Sequence, residues 1–168
     1  MKILITGAAG FIGFSFAKYL LEKDYKIIGL DNLNDYYDVN LKKKRLKQLS
    51  KSNNFKFYKV DLTEKIKIEK IFKNNKIDFV FHFAAQAGVR HSIDHPRKYI
   101  ESNILGFYNL IENVKNHNIK RLFYASSSSV YGDSKTFPLN EKDKLYPRNI
   151  YAVSKVSNEK LAKIYGNK

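Results

Sequence analysis

The stretch TGAAGFIG, residues 6–13, follows the short apolar run KILI at 2–5 and decides the fold of this chain. Glycines spaced three apart permit a tight turn and let the backbone approach a ligand closely. N–H groups at the start of a following helix can then bind an anion such as a pyrophosphate. The spacing is GxxGxxG, a variant of the GxGxxG dinucleotide fingerprint, and it has the required strand–turn–helix context. A purely structural turn stays open as the alternative.

Outward from this turn, strand-like and helix-like segments alternate along the chain. Apolar runs that predict strands lie at 2–6, 26–30, 55–60, 77–83 and 120–126. Helical patterns lie at 11–23, in a basic segment ending near 50, and at 63–75, 96–117 and 149–166. Strands that are apolar throughout and are joined by helices indicate a parallel sheet covered on both faces. We therefore predict one doubly wound α/β domain of the Rossmann type over residues 1–168.

Length and composition exclude several classes of protein. The 168 residues are 43% hydrophobic, which suits one packed domain, and the absence of cysteine excludes disulfides and thiolate metal sites. No apolar run is long enough to cross a bilayer, and the N-terminal run fits a strand better than a signal peptide. The histidines lack metal-ligand spacing, and His82 is expected to be a satisfied core residue. We expect a cytoplasmic protein with no metal and no membrane partner.

The net charge of +15 raises nucleic acid as a partner. The lysines are spread along the chain, however, and the densest run, KKKR at 42–45, is interpreted as the solvated face of a helix. No aromatic platform for stacking bases accompanies it. We predict no nucleic-acid partner. A basic nucleic-acid-associated protein remains the alternative, and its binding would fall steeply with salt.

Acidic residues close the second and third predicted strands. Asp31 lies about 20 residues beyond the glycine-rich turn, where a carboxylate accepts hydrogen bonds from the adenosine ribose and repels a 2′-phosphate. This position favours NAD over NADP. Asp61, followed by Leu62, is similarly placed to meet the adenine ring. A simple turn residue before Asn32 is the alternative for Asp31.

Tyr151 and Lys155 lie four residues apart and project from one face of the last predicted helix. A free tyrosine has a pKa of ~10, and a nearby ammonium, helped by a positive nicotinamide ring, favours the phenolate that acts as a base. A tyrosine and a lysine at this spacing often occur by chance, but here they follow a serine-rich strand end, SSSS at 126–129. A hydroxyl there can bond the substrate oxygen that loses its proton to Tyr151. From the VYG that follows, we assign this role to Ser127.

Together these residues resemble the extended short-chain dehydrogenase/reductases, the family of NAD-dependent epimerases and dehydratases, over essentially the whole chain. Two stretches are more specific than the glycines: DNLNDYYDV at 31–39 and AAQAGVR at 84–90. Both look like the corresponding segments of UDP-glucuronate 4-epimerases. Dehydratases of the family usually carry an Asp-Glu pair where this chain has Ser128 and Ser129. Epimerisation is therefore favoured, with another nucleotide-sugar epimerase or a dehydratase as the alternative.

The resemblance implies a reaction without net redox change on a UDP-hexuronate or UDP-hexose. Tyr151 would take the proton of the C4 hydroxyl while hydride passes to NAD⁺, and the 4-keto sugar would rotate and receive the hydride on its other face. The implied catalytic residues are Ser127, Tyr151 and Lys155. The residues implied to hold the cofactor are Gly7, Gly10, Phe11, Ile12, Gly13, Asp31, Asn32, Asp61, Leu62, Ala84, Ala85, Asn103, Tyr151 and Lys155. Arg90 and Ser127 are implied substrate contacts, with a surface salt bridge equally open for Arg90.

Family members continue for another domain-sized stretch that supplies most contacts to the nucleotide sugar. We therefore expect the substrate domain to be absent here, the edge of the sheet to be exposed, and catalysis by these 168 residues to be incomplete. A catalytically inactive NAD-binding module is the alternative, and a homodimer is a further expectation.

Overall fold

The computed structural model describes residues 1–166, so the last two residues of the predicted domain lie outside the described part. Five parallel strands form one sheet in the order β3-β2-β1-β4-β5. The strands are β1 (Lys2–Thr6), β2 (Lys26–Asp31), β3 (Phe55–Lys59), β4 (Phe79–His82) and β5 (Arg121–Tyr124). The strand order reverses on either side of β1, as a doubly wound sheet requires. The predicted α/β fold is confirmed.

Helices cover both faces of the sheet. They are α1 (Phe11–Leu21), α2 (Val39–Leu49), α3 (Lys65–Asn74), α4 (His91–Asp94), α5 (Pro96–Tyr99), a π-helical segment (Ile100–Leu105), α6 (Gly106–Asn116), a 3-10 turn (Ser128–Tyr131) and α7 (Ile150–Gly166). No helix within residues 1–166 is long and apolar enough to cross a membrane.

The two faces of the sheet bury separate hydrophobic clusters because side chains alternate along each strand. Leu4 and Val80 face one cluster, which is closed by residues of α3 and α6 such as Leu110. Ile3 and Ile5 face the other cluster, which is closed by α1 and α2. The core therefore fixes the sheet between two helical layers and leaves the carboxyl ends of the strands free for a site.

The continuous helix predicted over 96–117 is wrong in detail. The chain instead forms α5, the π-helical segment and α6. Asn103 lies in the π-helical segment, is 1% exposed, and exchanges two hydrogen bonds with the backbone of Gln86. A π-helical turn adds a residue to the helical repeat, and such turns are frequent at functional sites. The periodicity of apolar residues carries no sign of it, because the bonds involve a residue 17 positions away.

β3 and β5 are the edge strands within residues 1–166. Phe123 of β5 is 42% exposed and stacks on Phe81 of β4, with ring centroids 4.6 Å apart. An apolar aromatic pair therefore lies beside an edge with unpaired backbone groups, in agreement with the expected exposed edge.

Candidate functional site

The glycine-rich turn packs directly against the backbone that follows β4. Gly7 has φ +71°, and a Cβ added to it would lie 2.7 Å from the Ala84 nitrogen. The Gly10 N–H closes the turn by donating to the Gly7 carbonyl at 2.9 Å. A Cβ on Gly13 would overlap that same carbonyl. Side chains larger than hydrogen are therefore excluded where the turn, α1 and the end of β4 meet.

Helix α1 begins at this turn, and no side chain caps the backbone N–H groups of its first turn. Its N-cap is Gly10, which makes no capping hydrogen bond, and its first turn holds no acidic residue. The side chains of Phe11 and Ile12 are 73% and 56% exposed, so the first turn faces solvent. N–H groups at a helix start, together with the helix dipole, bind phosphate groups. The turn therefore fits the pyrophosphate of a dinucleotide.

A cleft of about 160 Å³ opens beside the turn, at the carboxyl ends of the strands. It brings together Gly7, Gly10, Asp31, Asn32, Asp61, Leu62, Ala84 and Ala85 from the predicted cofactor set. Its lining also includes residues that the sequence reasoning missed, namely Asn34, Tyr36, Tyr37, Lys42, Gln86, Ala87 and Ser102. The cleft lies where the strand order reverses, which is where ligands of open α/β sheets bind.

Asp31 holds the glycine-rich turn in place. Its carboxylate is 7% exposed, and it accepts hydrogen bonds from the N–H of Ala9 at 3.1 Å and of Leu33 at 2.9 Å. A carboxylate has about four acceptor positions, so these two bonds leave capacity for ribose hydroxyls. Asp31 therefore has a structural role that the sequence reasoning weighed only as an alternative, and it still lines the cleft.

Asp61, which also lines the cleft, is held by its neighbours. Its carboxylate accepts hydrogen bonds from the Asn32 amide at 2.6 Å and from the N–H and hydroxyl of Thr63 at 2.9 and 2.7 Å. Burial alone would raise the pKa of Asp61, but these hydrogen bonds outweigh it and lower the pKa below its ordinary value. The residue is a fixed anion that orients Asn32.

The prediction that the basic run 42–45 forms a solvated face is wrong for Lys42 and only half correct for Arg45, which is half-buried. Lys42 is 4% exposed, lines the cleft, and donates from Nζ to the backbone and side-chain oxygens of Asn34 at 2.8 and 2.6 Å. Arg45 donates from Nη1 to the Ala9 carbonyl and to the Tyr37 hydroxyl, each at 3.2 Å. A helix turns 100° per residue, so positions three apart share a face that is here directed inward. Lys43 and Lys44 remain exposed.

Lys155 and Tyr151 lie together at the start of α7. The Lys155 ammonium is almost fully buried, donates to the Ala125 carbonyl at 2.9 Å, and lies 5.9 Å from the centroid of the Tyr151 ring. Burial lowers the pKa of Lys155 to about 8. The pair is therefore arranged as the sequence predicted.

Ser127 lies three residues beyond β5, and its hydroxyl is oriented by a neighbour. It caps the 3-10 turn, and its Oγ accepts from the N–H and the hydroxyl of Ser129 at 3.3 and 2.9 Å. Because these contacts use acceptor positions, the proton of Ser127 stays available for a bond to a substrate oxygen.

Asn103 connects the cleft to helix α7. Its amide oxygen accepts from the Gln86 N–H at 2.7 Å, and its amide nitrogen donates to the Gln86 carbonyl and the Ser154 hydroxyl, both at 3.0 Å. Ser154 in turn donates to the Tyr151 carbonyl at 2.7 Å. The expected anchoring of local backbone is therefore present, and it extends to the helix that carries Tyr151.

Two other predicted residues lie apart from these contacts. Arg90 is exposed, and no carboxylate within residues 1–166 is near enough to form an ion pair with it. His82 is buried, and its Nδ1 lies 2.7 Å from the Thr6 hydroxyl, but Nε2 has no partner in the described chain. The expectation of a fully satisfied core histidine is thus only half correct. Burial, assisted by the charge of Lys155, lowers the pKa of His82 to about 3.

The missed residues differ in whether the sequence held a signal for them. Asn34, Tyr36 and Tyr37 belong to the stretch 31–39 whose resemblance was noted, so a contact role could have been assigned to them. Lys42 gave no signal, because a lysine within a charge run indicates a solvated face. No cluster of three or more potential metal ligands occurs among residues 1–166.

Comparison with known proteins agrees with this geometry. A family model described as GDP-mannose 4,6 dehydratase matches residues 4–168. Protein CapI of Staphylococcus aureus is 48% identical over 168 residues, which are 99% of this chain and 50% of that protein. A UDP-glucuronate 4-epimerase of Thermodesulfobacterium geofontis is 44% identical over 163 residues, which are 96% of this chain and 50% of that protein.

Solved structures show the same architecture. The crystal structure of UDP-glucuronic acid 4-epimerase from Bacillus cereus, in complex with UDP-glucuronic acid and NAD, superposes with a TM-score of 0.92 at 33% identity. The superposition covers 100% of this chain and 53% of that one. The chain therefore spans about half the length of the curated relatives and solved structures that it matches.

Proposed function

This chain belongs to the NAD-dependent epimerase/dehydratase family, and we propose that it is the cofactor-binding part of a nucleotide-sugar 4-epimerase that acts on UDP-glucuronate. The observation that carries the proposal is the pairing of the buried Lys155 ammonium with the Tyr151 ring beside the Asn103 network that borders the cleft. A fold of this kind hosts many functions, so the argument rests on these side chains.

The cofactor end is assigned to the glycine-rich turn and the cleft. The uncapped first turn of α1 would hold the pyrophosphate, and Asp31 would accept from the adenosine ribose. Lys155 would hold the nicotinamide ribose. When bound, NAD supplies the acceptor and donor of hydride at C4 of the sugar.

Tyr151 is assigned the role of the base for the C4 hydroxyl. The Lys155 ammonium lies beside the Tyr151 ring, and the Ser127 hydroxyl would donate to the same substrate oxygen. The 4-keto sugar would then rotate in the site, so that its opposite face would receive the hydride. Tyr151 would give the proton back to the oxygen at C4.

Epimerisation fits these residues better than dehydration. The two residues after Ser127 are serines, and the Ser129 hydroxyl is used to orient Ser127. Dehydratases of the family usually carry an Asp-Glu pair at these two positions for the acid and base of elimination across C5 and C6, and this chain has serines there. Another nucleotide-sugar epimerase or a dehydratase remains the second candidate, favoured by the description of the matching family.

The proposed substrate rests on similarity to named relatives, and the proposed partners rest on side chains that are exposed at the surface. UDP-glucuronate is the substrate in the name of one relative, and the guanidinium of Arg90 is exposed beside the cleft loop and suits a carboxylate or phosphate. A homodimer is proposed because Ile100, Leu105 and Tyr108 leave apolar surface exposed on consecutive helical turns. We propose a cytoplasmic location, which fractionation of cells would test.

The proposal is tested by calorimetric titration of the 168-residue chain with NAD⁺, followed by assay of UDP-glucuronate turnover. Turnover is measured for the chain alone and with the C-terminal half of a relative supplied as a second polypeptide. We expect NAD⁺ binding by the chain alone, turnover with the second half present, and loss of turnover in Tyr151→Phe but not in Tyr19→Phe. Tyr19 is an exposed tyrosine of α1 that serves as a matched control.

A folded chain that binds no NAD⁺ would overturn the proposal. Binding without turnover in the reconstituted enzyme would instead support the alternative of a catalytically inactive NAD-binding module.

A further inference from the structure

One cation of α2, Lys42, lines the cleft, and a second, Arg45, lies next to it against the glycine-rich turn. Lys42 lines the cleft and donates twice to Asn34, and its ammonium lies 4.5 Å from the centroid of the Tyr37 ring. Arg45 donates to Ala9 in the glycine-rich turn and to the hydroxyl of Tyr37. Tyr37 therefore contacts both cations, and the three side chains form one cluster.

Both cations have hydrogen-bond donors beyond those that the described residues use. An ammonium has three donors, of which Lys42 uses two on Asn34. A guanidinium has five donors, of which Arg45 uses two on Ala9 and Tyr37. Planar guanidinium groups bind phosphate oxygens with paired donors, and ammonium groups bind them as point charges. The cluster is thus chemically suited to a dianionic phosphate.

The carboxylate of Asp31, which lines the same cleft, opposes the binding of a phosphate by these two cations. Its carboxylate accepts from the N–H of Ala9, whose carbonyl binds Arg45. It also accepts from Leu33, the residue before Asn34, which binds Lys42. The carboxylate is therefore anchored to both segments that hold the cations. A negative charge there attracts ribose hydroxyls and repels a phosphate.

We propose that Lys42 and Arg45 form a latent site for the 2′-phosphate of a phosphorylated dinucleotide, and that the carboxylate of Asp31 excludes that phosphate. The inference rests on the proposed NAD-binding function and deepens it, because it names the side chains that set ribose specificity. It also accounts for the burial of Lys42 and the inward hydrogen bonds of Arg45 in a run that was expected to be solvated. Removal of the negative charge of Asp31, with no new cation introduced, is then sufficient to admit NADP⁺.

The test is calorimetric titration of the full chain with NAD⁺ and NADP⁺, in the wild type and in Asp31→Asn, at low ionic strength. Hydrogen bonds to charged groups of this kind change affinity about 10- to 100-fold. We expect Asp31→Asn to lower the Kd for NADP⁺ relative to that for NAD⁺ by about this factor. Adenosine 2′,5′-bisphosphate and 5′-ADP, titrated in parallel, isolate the effect to the ribose end.

Matched double variants assign the gain to the two cations. Asp31→Asn/Lys42→Met and Asp31→Asn/Arg45→Met should lose most of the gained NADP⁺ affinity. Asp31→Asn/Lys43→Met should keep it, because Lys43 is the adjacent lysine and is exposed. Methionine retains an unbranched apolar stem, so packing is largely preserved while charge and donors are removed.

The outcomes separate this inference from the proposed function. A folded wild type that binds neither dinucleotide would overturn the proposed function itself. NAD⁺ binding with no gain for NADP⁺ in Asp31→Asn, or an equal loss in the Lys43 control, would overturn the latent site alone. If Asp31→Asn does not fold, Asp31→Ser takes its place. In the Asp31→Ser background Lys42→Met must then lower the affinity for adenosine 2′,5′-bisphosphate more than Lys43→Met does, or the inference fails.

Discussion

Replacement of the buried lysine of α7 is expected to make the protein more stable at neutral pH while abolishing its proposed chemistry. In Lys155→Met the apolar part of the side chain is kept, and the cost of burying an ammonium is removed. The Lys155 Nζ makes one hydrogen bond, to the Ala125 carbonyl, and that bond is lost in the variant.

The size of the effect follows from the lowered pKa of Lys155. The folded pKa is about 8 and the ordinary value is 10.5. Between these values the unfolded chain binds the proton and the folded chain does not, so wild-type stability rises with pH across this window. The difference corresponds to about 3 kcal/mol, which the folded wild type loses in full below pH ~8. Losing the bond to Ala125 offsets about 1 kcal/mol of the gain in the variant.

Urea denaturation followed by circular dichroism, at pH 7, 8, 9 and 10, measures this difference. Lys155→Met should exceed the wild type by about 2 kcal/mol at pH 7, and its advantage should disappear as the pH approaches 10. Lys160→Met, at an exposed position of the same helix, should show no such trend. A stability difference that is constant from pH 7 to 10 would refute the reasoning, because the burial cost would then not arise from charge.

Three further predictions concern the turn, the Asn103 network and the buried histidine. Gly7→Ala should destabilise the fold by about 2 kcal/mol and weaken NAD⁺ binding, since it combines positive φ with a backbone overlap, whereas Gly166→Ala, with nothing within 4 Å, should change little in urea titrations. Asn103→Leu leaves the backbone N–H and carbonyl of Gln86 unpaired and should cost about 2–4 kcal/mol by the same measurement. His82, with its pKa lowered from 6.5 to about 3, binds no proton in the folded chain where the unfolded chain does, so stability should fall by about 2 kcal/mol between pH 7 and 5. That pH dependence of stability should be reduced in His82→Leu. An unchanged slope of stability against pH would contradict its assignment to His82.

Much of the architecture was predictable because it depends on local sequence. The glycine spacing at 6–13 encodes a turn of fixed geometry, and runs that are apolar throughout indicate strands buried on both faces. Tyr151 and Lys155 share a helix face because of the helical repeat, so their proximity follows from their spacing. The strand ends that carry Asp31 and Asp61 can likewise be placed at one edge of a parallel sheet from the sequence alone.

The remainder depends on which distant segments meet. The π-helical turn at Asn103 is stabilised by Gln86 and Ser154, which lie 17 and 51 residues away. Lys42 is buried because the loop after β2 folds back and presents the oxygens of Asn34 to its ammonium. A lysine on a basic helix is expected to be exposed to solvent, but the tertiary contact with Asn34 buries Lys42.

The sequence by itself therefore determined the order of elements, the glycine-rich turn and the tyrosine–lysine pair, because backbone conformation and helical spacing are properties of neighbouring residues. Only the tertiary structure decided which polar side chains are withdrawn from water. Burial depends on the path of segments remote in the chain, and a long side chain such as that of Lys42 can follow either path at similar local cost.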